Sequence, residues 1–252
     1  MKLNDALYNF CLRIADNNMI LGQRLAEWCS KAPILEEDMA ITNLSLDLIG
    51  EAESFYEYAA ALVNNKMSAD ELAFLRNERQ YLNNLLVEQP NGDFAFTMVK
   101  QLLYTGFAKN LYEKLRSSKD EMVSGLAAKA LKEMRYHFRH SAEWVIRLGQ
   151  GTAISKEKAQ FAMNELWRFT SDMFEMNEAD TILIGEGISV NLKDLYPLWL
   201  EQVNNIMQQA GLEIPDYQYE IKGGHNGKHT EHLGHILCEM QYLQRAHPGA
   251  TW

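Results

Sequence analysis

The stretch KDEMVSGLAAKALKEMRYHFRHSAEWVIRL, Lys119–Leu148, decides the fold. Its positions Val123, Ala127, Ala130, Met134, His137, Ser141, Trp144 and Leu148 alternate steps of four and three without a miss. An α-helix turns once in 3.6 residues, so these steps line a single face. A seam sustained over nearly four heptads is the mark of a helix packed along its length in a bundle. Gly149-Gln150-Gly151 is expected to stop it, since glycine ends helices without a Cβ penalty.

The same signals recur on both sides of this stretch. A first helix is expected over about Leu3–Cys29, ended before Pro33. A second is expected over about Leu35–Val63, with Leu44, Leu48, Ala52, Phe55, Ala59 and Leu62 on one face. Ser68-Ala69-Asp70-Glu71 reads as a capping box that opens a helix reaching about Glu88, with a break near Asn77. Pro90-Asn91-Gly92-Asp93 is turn chemistry, and Asp93 is placed to cap a helix that reaches about Ser117. Beyond the seam, helices are expected from Ser155 to about Met176, from Leu192 to Ala210 and from Lys228 to Ala246. Thr181–Val190 and Leu212–Gly227 read as irregular. No strong strand pattern and no repeat of solenoid period appears. Long helices joined by short turns predict an all-α, ferritin-like, elongated antiparallel helix bundle. No Gly/Ser/Pro-rich linker divides the chain, which predicts a single domain over 1–252.

Composition narrows the function classes. The 252 residues carry a net charge of −10, which disfavours nucleic acid, because phosphate binding needs a basic surface. Cys11, Cys29 and Cys238 are odd in number and far apart, with no C-x-x-C pair. That argues against a disulfide framework or a zinc site and fits a reducing compartment. The N-terminus has no signal-peptide pattern, and no apolar run is long enough to cross a bilayer. A cytoplasmic protein is expected, without membrane or nucleic-acid partners. There is no Gly-rich phosphate loop, G-x-S-x-G elbow or H-E-x-x-H helix.

Long acidic bundles raise the question of a di-iron carboxylate site. Such sites take one Glu from each of two helices and Glu-x-x-His from two more. None of the 34 acidic residues has a histidine three positions later. Two pairs have the i,i+4 spacing, which also shares a helix face: Glu133 with His137, and Glu231 with His235. An atypical metal site built from these four, with Asp47 or Glu165 in support, is one reading. A buried Glu–His contact that satisfies two polar groups is the other, and the same spacing fits both. Asp47, inside an apolar helix, is a candidate buried carboxylate with a structural role. His229 and His232 stand at another angle on the same C-terminal segment as His235.

Several segments carry a family resemblance. They are Gln23-Arg-Leu-Ala-Glu-Trp28, Asn43-Leu-Ser-Leu-Asp-Leu-Ile-Gly50, Arg76-Asn-Glu-Arg-Gln80, Leu86-Val-Glu-Gln-Pro-Asn-Gly-Asp-Phe94, Lys132-Glu-Met-Arg-Tyr-His137, Leu166-Trp-Arg-Phe169, Lys228-His-Thr-Glu-His-Leu-Gly234 and Glu239-Met-Gln-Tyr-Leu-Gln-Arg245. With these, the chain resembles the C subunits of the bacterial ring-1,2-phenylacetyl-CoA epoxidases, multicomponent di-iron monooxygenases. The resemblance implies a ferritin-like subunit of aerobic phenylacetate degradation that pairs with and supports a catalytic A subunit. It implies that the di-iron centre sits in the A subunit. NADPH, flavin and an iron–sulfur cluster would serve the reductase subunit. For this chain it implies no cofactor, no catalytic residue and no epoxidation by itself. The alternatives are a metal-binding oxygenase subunit with its own Glu/His site, and a free-standing helical carrier. Tyr217, Tyr219 and Trp252 are candidate interface anchors, because Tyr and Trp are enriched at binding hot spots.

Overall fold

The structure is a computed structural model that describes residues 1–63, 67–216 and 219–250. Among them lie eleven α-helices and no strand. In chain order the helices are α1 (Leu3–Ala26), α2 (Leu35–Leu62), α3 (Ala69–Phe74), α4 (Leu85–Glu88), α5 (Phe94–Leu115), α6 (Glu121–Gln150), α7 (Ala153–Trp167), α8 (Glu178–Gly185), α9 (Tyr196–Ala210), α10 (Glu231–Met240) and α11 (Tyr242–Ala246). They fall into two compact units. The first comprises Met1–Pro90, Asn177–Leu183 and Gly223–Trp252, and the second Asn91–Met176 and Ile184–Lys222.

In the first unit α1 is buried on almost every side from Phe10 to Leu25. It packs chiefly against α2, and it also meets α4 and α10. The α1–α2 crossing is close because Gly22 presents no side chain, and Ser45 Oγ donates to the Gly22 carbonyl at 2.8 Å. The capping box at Ser68 and Glu71 is present as the sequence predicts. The helix it opens stops at Phe74, well short of Glu88. Asn77 and Asn84 each start a new short segment, because their side chains cap backbone amides instead of propagating a helix. The C-terminal helix is likewise shorter than its pattern and broken at Gln241. Gln241 turns its amide inward to the Tyr81 hydroxyl and the Arg76 carbonyl, both at 3.0 Å. Residues 177–183 belong to this unit because Arg13, Asn9 and the N-terminal amine hold them there. Asn177 Oδ1 accepts from Ala179 N, so a short helix replaces the expected irregular stretch at its start.

In the second unit α5 is buried on nearly all faces, against α6, α7 and α9. Asp93 caps α5 and Asp120 caps α6 through their carboxylates. Trp199 is fully buried, donates Nε1–H to the Leu103 carbonyl at 2.9 Å and stacks on Trp167 at 5.5 Å. The α6 seam is buried from Val123 to Ser141 as its periodicity predicts. Towards its C-terminus burial shifts to Val145 and Gly149, while Trp144 and Leu148 are half-buried. Trp144 instead meets Phe94 edge-on at 4.9 Å.

Gly149-Gln150-Gly151 ends α6 as expected, and Gly149 has a second role. The helix runs to Gln150 and is capped by Gly151. A Cβ at Gly149 would lie 2.2 Å from the Ala210 carbonyl oxygen, so the glycine is where the end of α9 touches α6. Gly149→Ala therefore sets a helix-propensity gain of about 1 kcal/mol against a backbone collision costing about 1–3 kcal/mol or more. The collision wins, because the atom struck is backbone and cannot swing away. The expected result is a lower melting temperature, whereas a melting point at or above wild type would show that α9 does not approach α6 this closely.

Candidate functional site

The polar chemistry of the first unit is concentrated on α1. Asp16, Asn17 and Asn18 stand in succession within its apolar run and are all buried. Buried polar groups must find partners, and each of these does. Asp16 accepts from the Tyr56 hydroxyl at 2.5 Å and from Leu82 N at 2.8 Å. The guanidinium of Arg76 engages both of its oxygens, which makes a buried, bidentate ion pair. Arg76 also donates to the Leu72 and Gln80 carbonyls, and its guanidinium stacks over the Tyr81 ring at 4.3 Å. Burial and the adjacent Asp16 charge push the Tyr56 hydroxyl well above its ordinary pKa, so it stays a proton donor. Asn17 accepts from the backbone and side-chain amides of Asn84, and Asn18 donates to Glu51 at 3.0 Å.

A second cluster lies around Glu88, which is fully buried at the end of α4. One of its oxygens accepts from Thr230 N at 2.6 Å and the Thr230 hydroxyl at 2.8 Å. The other accepts from Asn83 Nδ2 and His229 Nδ1, both at 2.9 Å. His229 Nε2 faces the Tyr81 carbonyl at 2.9 Å. Both ring nitrogens thus meet acceptors, which selects the doubly protonated imidazolium. Burial opposes that charge. The Glu88 hydrogen bond and charge, with the Tyr81 carbonyl, outweigh it and raise the His229 pKa. Arg24 grips the Glu88 carbonyl with Nε and Nη2. A third pair joins α1 to α8: Arg13 meets Asp180 through two bonds, at 2.7 and 2.5 Å. Burial opposes the Asp180 charge, but Arg13 prevails and lowers its pKa.

The residues singled out in the sequence lie elsewhere. His137 is fully buried on α6, and Glu133 is half-buried one turn before it. Glu231 and His235 are exposed on α10, and Asp47 is half-buried on α2. Glu165 pairs with Arg168. Tyr219 is exposed, whereas Tyr217 and Trp252 lie outside the described residues. Among the described residues no three His, Cys, Asp or Glu side chains group as a metal ion requires. The buried carboxylates of Asp16, Glu88 and Asp180 face arginine, histidinium, hydroxyl and amide donors. That donor set fits ion pairs and does not fit a di-iron ligand shell.

The polar core rests on Asp16, Arg76, Glu88 and His229, which spacing alone did not reveal. Two signals for it were present. Three adjacent polar residues interrupt the apolar α1, and Glu88 and His229 fall within two of the segments that carry the resemblance. Across its whole length, residues 1–252, the chain matches the family described as phenylacetic acid catabolic protein. The chain belongs to that family. Phenylacetic acid catabolic proteins of this group are ferritin-like and helical, in accord with the all-α fold. A relative from Escherichia coli (strain K12), the C subunit of 1,2-phenylacetyl-CoA epoxidase, is 47% identical over 243 residues. The match covers 96% of this chain and 98% of that relative. Among the described residues no helix is long and apolar enough to cross a membrane.

Proposed function

We propose that this chain is the structural subunit of a phenylacetyl-CoA ring-1,2-epoxidase complex, acting in the cytoplasm in aerobic phenylacetate degradation. It pairs with and supports a catalytic A subunit that holds the di-iron centre. A reductase subunit with flavin and an iron–sulfur cluster supplies electrons from NADPH. The chain itself carries no metal and no catalytic residue. The observation that supports this reading is the state of its buried carboxylates. Asp16 and Glu88, both fully buried in the helical core, are saturated by donors from their own chain. A ligand-set carboxylate needs lone pairs left for metal, and these have none to spare.

An omission assay tests the reading. Catalytic subunit and reductase are supplied with phenylacetyl-CoA, oxygen and NADPH, with and without this chain. The expected result is epoxide formation only when the catalytic subunit is present, and strongly reduced formation or a less stable catalytic subunit when this chain is left out. Epoxide made by this chain and reductase alone would contradict it.

A further inference from the structure

The outward face of α2 combines three features. First, it is apolar where it is exposed: Leu35 is 73% exposed, and Met39 and Leu46 are each 61% exposed. At steps of four and seven these three form one stripe along the helix. Second, α2 carries seven acidic residues, Glu36, Glu37, Asp38, Asp47, Glu51, Glu53 and Glu57, and no Lys, Arg or His at all. Third, Gly50 continues the stripe one turn beyond Leu46, in mid-helix. A Cβ there would meet no other atom within 4 Å. Glycine within a helix is unfavourable relative to alanine, and nothing in the surrounding structure requires it here. Gly22 and Gly149, by contrast, each accommodate a neighbouring segment of this same chain.

A half-buried mid-helix glycine next to an apolar stripe leaves room for a backbone to approach from outside. Of these acids Glu36, Glu53 and Glu57 are exposed, and their charge beside the stripe, with no cation on the helix, states the chemistry of what approaches. We infer that the α2 face of Leu35, Met39, Leu46 and Gly50 is the docking surface for a helix of the catalytic partner. That helix presents an apolar ridge edged by Lys and Arg, and it crosses closest at Gly50. The inference rests on the subunit reading above and assigns it a surface.

The test uses the full chain co-expressed with the catalytic partner and measures the dissociation constant of the purified pair at two salt concentrations. Gly50→Leu, Leu46→Glu and the double variant Glu53→Lys/Glu57→Lys are compared with Phe161→Glu, a change at an apolar α7 side chain that is 60% exposed. Each α2 variant is expected to weaken binding about tenfold or more, while Phe161→Glu leaves it within about twofold. Gly50→Leu is the most telling, because it should raise the melting temperature of the isolated chain while it weakens the pair. Wild-type affinity should fall as salt rises, and the Lys double variant should lose that dependence. If wild type binds and the α2 variants bind equally well while remaining folded, this surface is overturned and the subunit reading stands. If wild type forms no pair, the subunit reading itself fails and takes the surface with it. If the α2 variants instead abolish self-association of this chain, the occupant is a second copy and the inference is overturned.

Discussion

Arg76→Met destabilises the unit that contains it by about 3–5 kcal/mol, the cost typical of leaving one partner of a buried ion pair alone. The size follows from what the guanidinium does. It is 4% exposed, it holds both oxygens of the fully buried Asp16, and it closes the Leu72 and Gln80 carbonyls. Methionine matches its length and fills the space over the Tyr81 ring, so little of the loss comes from a cavity. What remains is a buried carboxylate held only by Tyr56 and Leu82 N. For a chain of this length the loss corresponds to a fall of roughly 10 °C in melting temperature. The companion variant Asp16→Leu/Arg76→Met should recover much of it, because the uncompensated charge is gone. Recovery stays incomplete, since Tyr56, Leu82 N and two carbonyls lose partners. Equal melting temperatures for wild type and Arg76→Met would show that the pair does not support the core.

The second large effect is Glu88→Gln, with an expected cost of about 3 kcal/mol. All four neighbours of the Glu88 oxygens are donors. A glutamine offers one oxygen and one NH2, so it must point a donor at a donor whichever way it turns. It also removes the charge that keeps His229 protonated. A pH dependence follows from the same contact. Because the folded His229 pKa lies above its unfolded value of about 6.5, its contribution is complete below pH 6.5. It is lost as pH rises through the folded pKa. Wild-type stability should therefore decline on the alkaline side of pH 6.5 by an amount that Glu88→Gln reduces. Identical pH profiles for the two proteins would break the argument. Because Thr230 is the N-cap of α10, amide exchange in α10 should quicken in the variant at every pH.

Much of this architecture was legible because helices write their burial locally. The α6 seam, the Ser68 capping box and the Asp93 cap are all read from residues three or four apart. The Gly149-Gln150-Gly151 stop is legible in the same way, but the second role of Gly149 is not. Only the end of α9, about sixty residues on, reveals Gly149 as a close contact as well. The polar core was illegible for a stronger version of that reason. Asp16 meets Arg76 across 60 positions, and Glu88 meets His229 across 141. No helical spacing encodes either. Glu133/His137 and Glu231/His235 stand out by their i,i+4 spacing, yet neither pair belongs to this polar core, and the second is exposed. Lys228–Thr230 falls outside the helix its pattern suggests, because His229 and Thr230 are drawn to Glu88.

On the proposed reading, the ferritin-like core of this chain has its Asp16 and Glu88 carboxylates occupied by ion pairs, and iron is held by the partner. Iron counting in each chain tests it most directly. The co-purified complex is reconstituted anaerobically with ferrous iron, the subunits are separated under native conditions, and each is analysed. The expected result is about two irons per catalytic chain, as a di-iron site requires, and none in stoichiometric amount with this one. About two irons per chain here, lost on Asp16→Asn or Glu88→Gln with the fold intact, would contradict it.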